Sequence, residues 1–364
     1  MCLFFVVVTM SCDQEPLFWD IAHEYPPIRP TIGGRPTAIV DTGIDGGGGT
    51  LYVSNGKKVY KYNIANAARP FWEEMEYQPG NQTKDLAAVG AKLFALDWDG
   101  TIKTSSGGAW TLLKTIKNAE NLFGAGSYLF STAIEPGKSP GLPGSYTIMC
   151  MDDAGALLSE ISNTGLLMSA VDLGGTIFLG TMGNGVYSGG GPVFAQDAVN
   201  FGVNDTIIGL TVFDSELFAV TPTKIIVRGK GEIASGNFTG AIAGWTHTAK
   251  GGAVERLILV GLRRYGGSFG YGYREIQLDS ANAPLSGLTI PGEETVSSVT
   301  KGSQFISAIG KSALNNFYIL NTFSKRADGD DKPIIFACTM KSGVWSYRTR
   351  NGTPQWNGED KTGF

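Results

Sequence analysis

Cysteine and histidine are the residues of this chain whose type and spacing would most readily support catalysis or metal binding. The two histidines, His23 and His247, lie far apart, so neither a histidine-based nucleophilic triad nor a multi-histidine metal cage is indicated. No two cysteines form a CxxC pair or another zinc-ligand spacing; they are Cys2, Cys12, Cys150 and Cys338. We therefore expect no metal and no cofactor.

Cys150 and Cys338 lie in apolar, strand-like runs, YTIMCMDD and PIIFACTMK. A cysteine in such a run is typically a small buried hydrophobic residue. A disulfide between them would require neighbouring strands, because the Cα atoms of bridged cysteines lie within about 7 Å of each other. Both states stay open at this level.

Two acidic clusters, DTGIDGGGG at 41–49 and ADGDDK at 327–332, contain carboxylates of the kind that bind calcium. Calcium takes about six to eight oxygen ligands, and neither cluster is followed by the bidentate glutamate of an EF-type loop. We interpret the first cluster as a glycine-rich connection and the second as the tip of a long hairpin.

The segment RRYGGSFGYGYRE, residues 263–275, has the most unusual local composition of the chain. It lacks the strand-to-helix context of a phosphate-binding loop. Arginines beside aromatic rings favour a platform that stacks bases or sugar rings, whereas the alternative is a hairpin whose aromatic rings pack in the core. The candidate ligand-binding residues are Arg263, Arg264, Tyr265, Phe269, Tyr271, Tyr273 and, from a separate segment, Trp245.

The composition excludes a dedicated nucleic-acid surface, because the 364 residues have a net charge of −4 and no basic block. Only 17% of the residues are charged and 51 are glycine. A typical soluble domain has about 25% charged residues and about 7% glycine. The chain is therefore expected to be rich in turns and to have a nearly neutral surface.

Short apolar runs recur along the chain and predict its architecture. They start at positions 51, 93, 128, 177, 217, 257 and 317, so their spacings are 42, 35, 49, 40, 40 and 60 residues. A repeat of about 40 to 50 residues is typical of β-propeller blades. We predict an all-β fold, a β-propeller with seven blades of four-stranded antiparallel sheets, over residues 37–357.

Turn residues between the runs support hairpins. Asn55-Gly56 and Asp99-Gly100 separate pairs of alternating segments, as in two-residue hairpin turns. Helical periodicity is weak and limited to 68–76 and 295–316. We expect TAIVD at 37–41 to complete the last blade, with 358–364 as a tail. Three tryptophans at equivalent positions, Trp72, Trp98 and Trp110, are predicted to lie in the core between blades.

Three segments combine a strand, a glycine-containing turn and an aromatic residue: 100–113, 185–194 and 343–356. They resemble degenerate Asp-box, or BNR-type, hairpins. The resemblance implies a propeller in which these turns have a folding role, without implying an activity.

The amino-terminal segment begins with the apolar run LFFVVVTM at 3–10 and continues through Ser11 and Cys12 into a polar stretch. The run is too short for a membrane-spanning helix, which needs about 20 residues. The pattern resembles a bacterial lipoprotein signal, and the resemblance implies that Cys12 is lipidated and becomes the mature N-terminus. An ordinary secretion signal and a buried strand are the alternatives. We assign 1–11 to the signal peptide and 12–36 to the anchor and tether.

These features predict a non-enzymatic binding or assembly module of the cell envelope. It would be a monomer, anchored to a membrane through lipid and facing the periplasm or the exterior. Loops at one face of the propeller would recognise a protein or a glycan, and nucleic acid is not an expected partner. A purely structural spacer is a further alternative.

The BNR-type resemblance also raises an enzymatic alternative, a sialidase-like glycoside hydrolase. Such an enzyme would use three convergent arginines and a tyrosine nucleophile. Arg29 in PPIRP is similar to the early arginine of that family, and the later arginines are Arg228, Arg263, Arg264, Arg274 and Arg348. Prolines around Arg29 favour an extended linker, so we prefer the binding module.

Overall fold

The computed structural model describes residues 32–33, 36–43, 49–63, 71–80, 82–248, 254–263, 270–284, 314–320, 334–339, 343–350 and 353–358. Every regular element among these residues is a β-strand, and the strands form seven sheets with antiparallel pairing. Each sheet uses strands that are consecutive in the sequence. The chain therefore completes one blade of a β-propeller before it begins the next, as the repeats predict.

The first four blades each have four strands. The first contains β1 (Val40–Asp41), β2 (Leu51–Ser54), β3 (Val59–Asn63) and β4 (Phe71–Glu74). The second contains β5 (Thr83–Val89), β6 (Lys92–Asp97), β7 (Thr101–Ser105) and β8 (Thr111–Thr115). The third contains β9 (Ala119–Ala125), β10 (Tyr128–Ile134), β11 (Tyr146–Met151) and β12 (Leu157–Thr164). The fourth contains β13 (Leu167–Leu173), β14 (Thr176–Thr181), β15 (Val186–Gly189) and β16 (Ala195–Asp197).

The remaining blades follow the same order, although the described part of the sixth has three strands. The fifth contains β17 (Gly209–Phe213), β18 (Glu216–Val220), β19 (Lys224–Val227) and β20 (Gly231–Ser235). The sixth contains β21 (Phe238–Thr248), β22 (Val254–Arg263) and β23 (Gly270–Leu278). The seventh contains β24 (Leu314–Leu320), β25 (Ile334–Thr339), β26 (Val344–Arg350) and β27 (Thr353–Gly358).

The repeated apolar runs mark the second strand in six blades. The seventh run, FYIL at 317–320, belongs to the first strand β24, whereas the second strand of that blade is β25. This difference in position shortens the apparent final spacing of the sequence pattern, because the equivalent second strand begins only at Ile334. The weak helical pattern at 68–76 is overridden by β4, which pairs with β3. In the second helical window, 295–316, residues 314–316 belong to β24 and the others lie outside the described residues.

The core lies between the blades. In the described part of the chain, seven apolar clusters each join residues of two neighbouring blades. One of them joins the seventh blade to the first, where Phe336 packs against Tyr62 and Trp72 with ring centroids 5.2 Å and 5.7 Å apart. The ring of blades is therefore closed by side-chain packing.

Among the described residues, no strand that precedes β2 pairs with the last blade, so the prediction that TAIVD completes the last blade is wrong. Val40 of β1 pairs with Tyr52 in its own blade, and β27 supplies the fourth strand of the seventh blade. Hydrogen bonds between described residues also join the ends of the ring. The Val344 N–H donates to the Ile32 carbonyl at 3.2 Å, and the Tyr318 hydroxyl donates to Asp41 at 2.7 Å.

Polar side chains join the first strands of consecutive blades. Asp85 Oδ2 accepts a hydrogen bond from the Leu122 N–H at 2.8 Å, and the Asn121 side chain donates to the Leu167 carbonyl. Ser169 Oγ accepts from the Leu210 N–H at 3.2 Å. These three contacts connect the second blade to the third, the third to the fourth, and the fourth to the fifth.

Between the fifth and sixth blades, the first strands approach each other closely through their backbones, without a polar side chain at this point. A Cβ atom at Gly209 would lie 2.2 Å from the Gly240 carbonyl oxygen. Only glycine fits there, because real Cβ atoms do not approach a carbonyl oxygen so closely.

The two described cysteines are free and buried, and they lie in different blades. Cys150 is in β11 and Cys338 is in β25. The structure therefore excludes the disulfide and agrees with the interpretation of both as small buried residues.

Candidate functional site

One face of the propeller carries the connections between blades. Strand direction alternates within each blade, so the turn between the second and third strands emerges on the same side as the connector to the next blade. We call this side the loop face. It includes the connector 198–208, which is longer than the equivalent connectors 116–118, 165–166 and 236–237.

Short polar residues end the second strand in several blades, and their role is structural. Thr181 Oγ1 donates to the Gly185 carbonyl at 2.8 Å, and Thr339 Oγ1 donates to the Gly343 carbonyl at 3.0 Å. Thr221 Oγ1 accepts from the Lys224 N–H at 2.9 Å. The bonds satisfy backbone groups of the tight turns, as hydroxyl side chains commonly do. These hydroxyls are therefore not evidence for catalysis.

A polar cleft lies on the loop face between connector 198–208 and the fifth blade. Its volume is about 370 Å³. That volume is near the lower end of small-molecule sites, which run from about 300 to 1,000 Å³. Eight polar residues line it: Asn200, Asn204, Asp205, Thr206, Thr221, Thr223, Lys224 and Glu232. Sequence reasoning missed this site, and the available signal was the length of the polar connector.

Hydrogen bonds fix the shape of the connector. Asp205 Oδ2 accepts from the Gly202 N–H at 2.7 Å, while the Asp205 N–H donates to the Gly202 carbonyl at 3.0 Å. Asn200 adopts a positive φ of 64° and accepts from the Gly229 N–H at 2.6 Å. The cleft wall is thus held in place by both the connector and the fifth blade.

A buried ion pair fastens the start of the connector. Arg228 Nε donates to Asp197 Oδ2 at 2.8 Å, and the Asp197 side chain is only 2% exposed. The Arg228 guanidinium also lies 5.3 Å from the centroid of the Phe178 ring. Because a buried carboxylate is costly without a partner, this pair ties the fifth blade to the fourth.

Charges within the cleft largely compensate one another. Lys224 Nζ lies 2.9 Å from Glu232 Oε2. The hydrogen bond to Glu232 raises the pKa of the Lys224 ammonium, with smaller Coulombic contributions from Glu232 and Asp205. The lining therefore combines one cation with two carboxylates.

A second feature of the loop face is an exposed tryptophan. Trp98 is 60% exposed in the turn between β6 and β7, so its predicted position between blades is wrong. The Lys84 ammonium lies 5.3 Å from the centroid of its ring and 3.0 Å from Glu120. Trp72 is fully buried between blades, and Trp110 is partly buried against the core between the first and second blades.

The structure places two of the predicted ligand-binding residues in the core. Trp245 and Tyr273 are each 5% exposed and belong to the cluster between the sixth and seventh blades. Tyr273 makes an edge-to-face contact with Phe317 at 6.0 Å between centroids. This position matches the alternative of a hairpin whose aromatic residues pack between blades.

Two other predicted residues belong to the strands of the same hairpin. Arg263 is the last residue of β22 and pairs with Gly270, and Tyr271 lies in β23. Outside the described residues lie Cys12, Arg29, Arg264, Tyr265 and Phe269.

Arg228, one of the arginines considered for a sialidase-like site, makes a contact between blades instead, and so does Arg256, an arginine outside that set. Arg228 pairs with Asp197 between the fourth and fifth blades, and Arg256 pairs with Asp214 between the fifth and sixth. Among the described residues, no group of three or more histidine, cysteine or acidic side chains is arranged to hold a metal ion. In that same part of the chain, no helix is long and apolar enough to cross a membrane.

Comparisons with known proteins agree on the architecture. No family model and no curated protein matches the chain. The WD40 β-propeller domain of Doa1 is 10% identical, with a TM-score of 0.50 over 89% of this chain and 97% of that chain. BamB from Moraxella catarrhalis is 12% identical, with a TM-score of 0.46 over 83% of this chain and 92% of that chain.

An ancestral GH74 enzyme is 15% identical, with a TM-score of 0.55 over 92% of this chain. The match covers 47% of the enzyme's chain, so this chain spans about half of its length. At such low identities the likeness extends to the β-propeller fold alone, because one fold supports many functions.

Proposed function

We propose that this chain is a non-enzymatic binding or assembly module of the cell envelope that recognises a protein or a glycan through its loop face. The observation that carries this proposal is the polar cleft on that face, held in shape by the connector 198–208. Loops on a rigid scaffold commonly carry recognition, and a closed propeller is such a scaffold. The BNR-type resemblance of the outer hairpins is part of the proposal and concerns folding only.

The described contacts favour binding over hydrolysis. A sialidase-like enzyme needs three arginines at one pocket, whereas Arg228 and Arg256 each neutralise an aspartate at a different blade boundary. The carboxylates of the cleft are also engaged, Asp205 with the Gly202 N–H and Glu232 with Lys224.

The proposed address rests on Cys12. If its sulfur is acylated, residues 12–31 form a tether to Ile32, which is buried between the first and seventh blades. Twenty extended residues reach at most about 70 Å. The propeller, a monomer in this proposal, would stay close to a membrane surface and face the periplasm or the exterior.

Mass spectrometry of the mature chain tests this address. We expect a diacyl or triacyl mass on Cys12 and loss of membrane association in the Cys12→Ser variant. A chain that keeps Met1 and an unmodified Cys12 would disprove the lipid anchor.

Site-specific photocrosslinking tests the recognition face separately. A benzophenone amino acid replaces Trp98 or Val203 on the loop face, or Leu112 on the outer strand β8 as the matched control; all three side chains are exposed. We expect crosslinked species in intact cells from positions 98 or 203 and not from 112. Crosslinks from 112 alone would show that the partner binds the periphery instead.

A further inference from the structure

The cleft between connector 198–208 and the fifth blade has a lining that discriminates among ligand classes. Among the described residues that line it, Pro222 and Ile226 are the apolar ones and none is aromatic. An apolar ligand would therefore lose its hydration without gaining matching contacts. A nucleobase would find no ring on which to stack.

The charged groups of the cleft further restrict the class of ligand. Asp205 and Glu232 would repel a phosphate or carboxylate ligand, and Lys224 is already paired with Glu232 at 2.9 Å. A divalent cation would need about six oxygen ligands, whereas the cleft combines two carboxylates with an ammonium group. The lining is suited to a ligand without net charge.

The remaining groups are hydrogen-bonding side chains directed at a small volume. Asn204 and Thr223 are exposed at the cleft, and Thr206, which also lines it, is half-buried. An amide offers both donors and acceptors, a hydroxyl does the same, and carboxylates accept. Such a set matches a ligand that presents several hydroxyl groups, each both donor and acceptor.

Hydrogen bonds order the cleft walls before a ligand binds, which reduces the conformational entropy that is lost on binding. Thr221 Oγ1 accepts hydrogen bonds from the Thr223 N–H at 3.2 Å and the Lys224 N–H at 2.9 Å, which fixes the turn that carries both side chains. Asp205 and Gly202 fix the opposite wall. A site ordered before binding loses less conformational entropy when the ligand arrives.

We infer that this cleft binds a neutral sugar residue. The inference rests on the proposed recognition role of the loop face. Of the two proposed partners, protein and glycan, it selects the glycan. The amide of Asn204, the hydroxyl of Thr223 and the carboxylate of Glu232 would hydrogen-bond the sugar hydroxyls. The cleft volume of about 370 Å³ restricts the occupant to one or two rings of a longer glycan.

Isothermal titration calorimetry of the full chain tests this inference with four neutral disaccharides as probes: maltose, cellobiose, lactose and chitobiose. We expect at least one of them to bind. Asn204→Ala, Thr223→Ala and Glu232→Gln should each weaken that binding by about fivefold to tenfold, the cost of one hydrogen bond. Glu160→Gln, an exposed substitution on β12, is the matched control and should leave the affinity unchanged.

Two results would overturn the sugar inference. One is the absence of binding to all four disaccharides at millimolar concentration. The other is binding that the three cleft variants leave unchanged. Either result leaves the proposed binding module standing if the crosslinks from the loop face are observed. Hydrolysis of a bound disaccharide, detected by nuclear magnetic resonance, would instead disprove the non-enzymatic function and keep the sugar site.

Discussion

Replacing Asp85 with asparagine tests the polar contact that joins the second blade to the third. The carboxylate accepts hydrogen bonds from the Leu122 N–H at 2.8 Å and the Leu86 N–H at 2.9 Å. Burial has the largest effect and raises the pKa of Asp85 to about 6, while the two backbone donors oppose that change. The ordinary pKa of an aspartate is about 3.9.

The sign of the pH dependence follows from this difference. Because the folded pKa lies above the unfolded pKa, the protonated side chain favours folding. Its stabilising contribution is complete below about pH 4 and is lost as the pH rises through about 6. One pKa unit corresponds to about 1.4 kcal/mol, so the full change is about 3 kcal/mol. Asp85 retains a small exposed area, which makes this figure an upper value.

Asparagine has nearly the same shape and stays neutral, so Asp85→Asn removes the dependence. Urea unfolding monitored by tryptophan fluorescence gives the unfolding free energy at about pH 4 and about pH 7.5. We expect the unfolding free energy of the variant, minus that of the wild type, to increase by about 2 to 3 kcal/mol from about pH 4 to about pH 7.5. Asp153→Asn, at an exposed ion pair with Lys92, is the control and should change by less than about 1 kcal/mol. An Asp85→Asn difference that is the same at both pH values would refute the reasoning.

Three further substitutions or reactions test the packing between blades. Gly209→Ala should destabilise the fold by about 2 to 3 kcal/mol in urea unfolding, because its Cβ would lie 2.2 Å from a carbonyl oxygen. The control is Gly108→Ala, whose Cβ would have nothing within 4 Å and which should be neutral within about 0.5 kcal/mol. Arg228→Met should cost about 2 to 3 kcal/mol by leaving the carboxylate of Asp197 buried without its partner, and adding Asp197→Asn should recover more than half of that loss. Burial raises the pKa of the Cys338 thiol to about 12, so iodoacetamide at about pH 8 should modify this residue only after unfolding; peptide mapping that finds it alkylated in the native protein would contradict its place in the core.

The fold was predictable because the propeller repeats one local pattern. Apolar runs mark the second strand in six blades, and the turns at Asn55-Gly56 and Asp99-Gly100 do join neighbouring strands, with φ of 88° at Gly56 and 85° at Gly100. Both loops, 55–58 and 98–100, are longer than the predicted two-residue turns. Ring closure was not predictable from the same pattern. Whether β1 pairs with β2 or with the last blade depends on contacts between the two ends of the chain, which sequence periodicity does not contain.

The repeat pattern also did not predict which aromatic residues are exposed and which are buried. Trp72 and Trp98 were both predicted to lie between blades, yet Trp72 lies within β4 and Trp98 lies in the turn between β6 and β7. A strand residue that faces a neighbouring blade is buried, whereas a turn residue at the loop face meets solvent. The assignment of Tyr273 and Trp245 to a ligand surface rested on composition, and composition does not state which blade face a strand residue occupies.

The polar residues discussed above fall into two groups: those whose side chains hydrogen-bond backbone groups of the fold, and those that line the cleft. Thr181, Thr221 and Thr339 satisfy turn groups at the ends of second strands, and Asp85 satisfies a backbone N–H across a blade boundary. A propeller needs these residues whatever it binds, because buried backbone groups require partners. The side chains that line the cleft come from the long connector 198–208 and from the fifth blade. Extra length with polar side chains at one blade boundary is therefore a stronger indication of recognition than an unusual local composition.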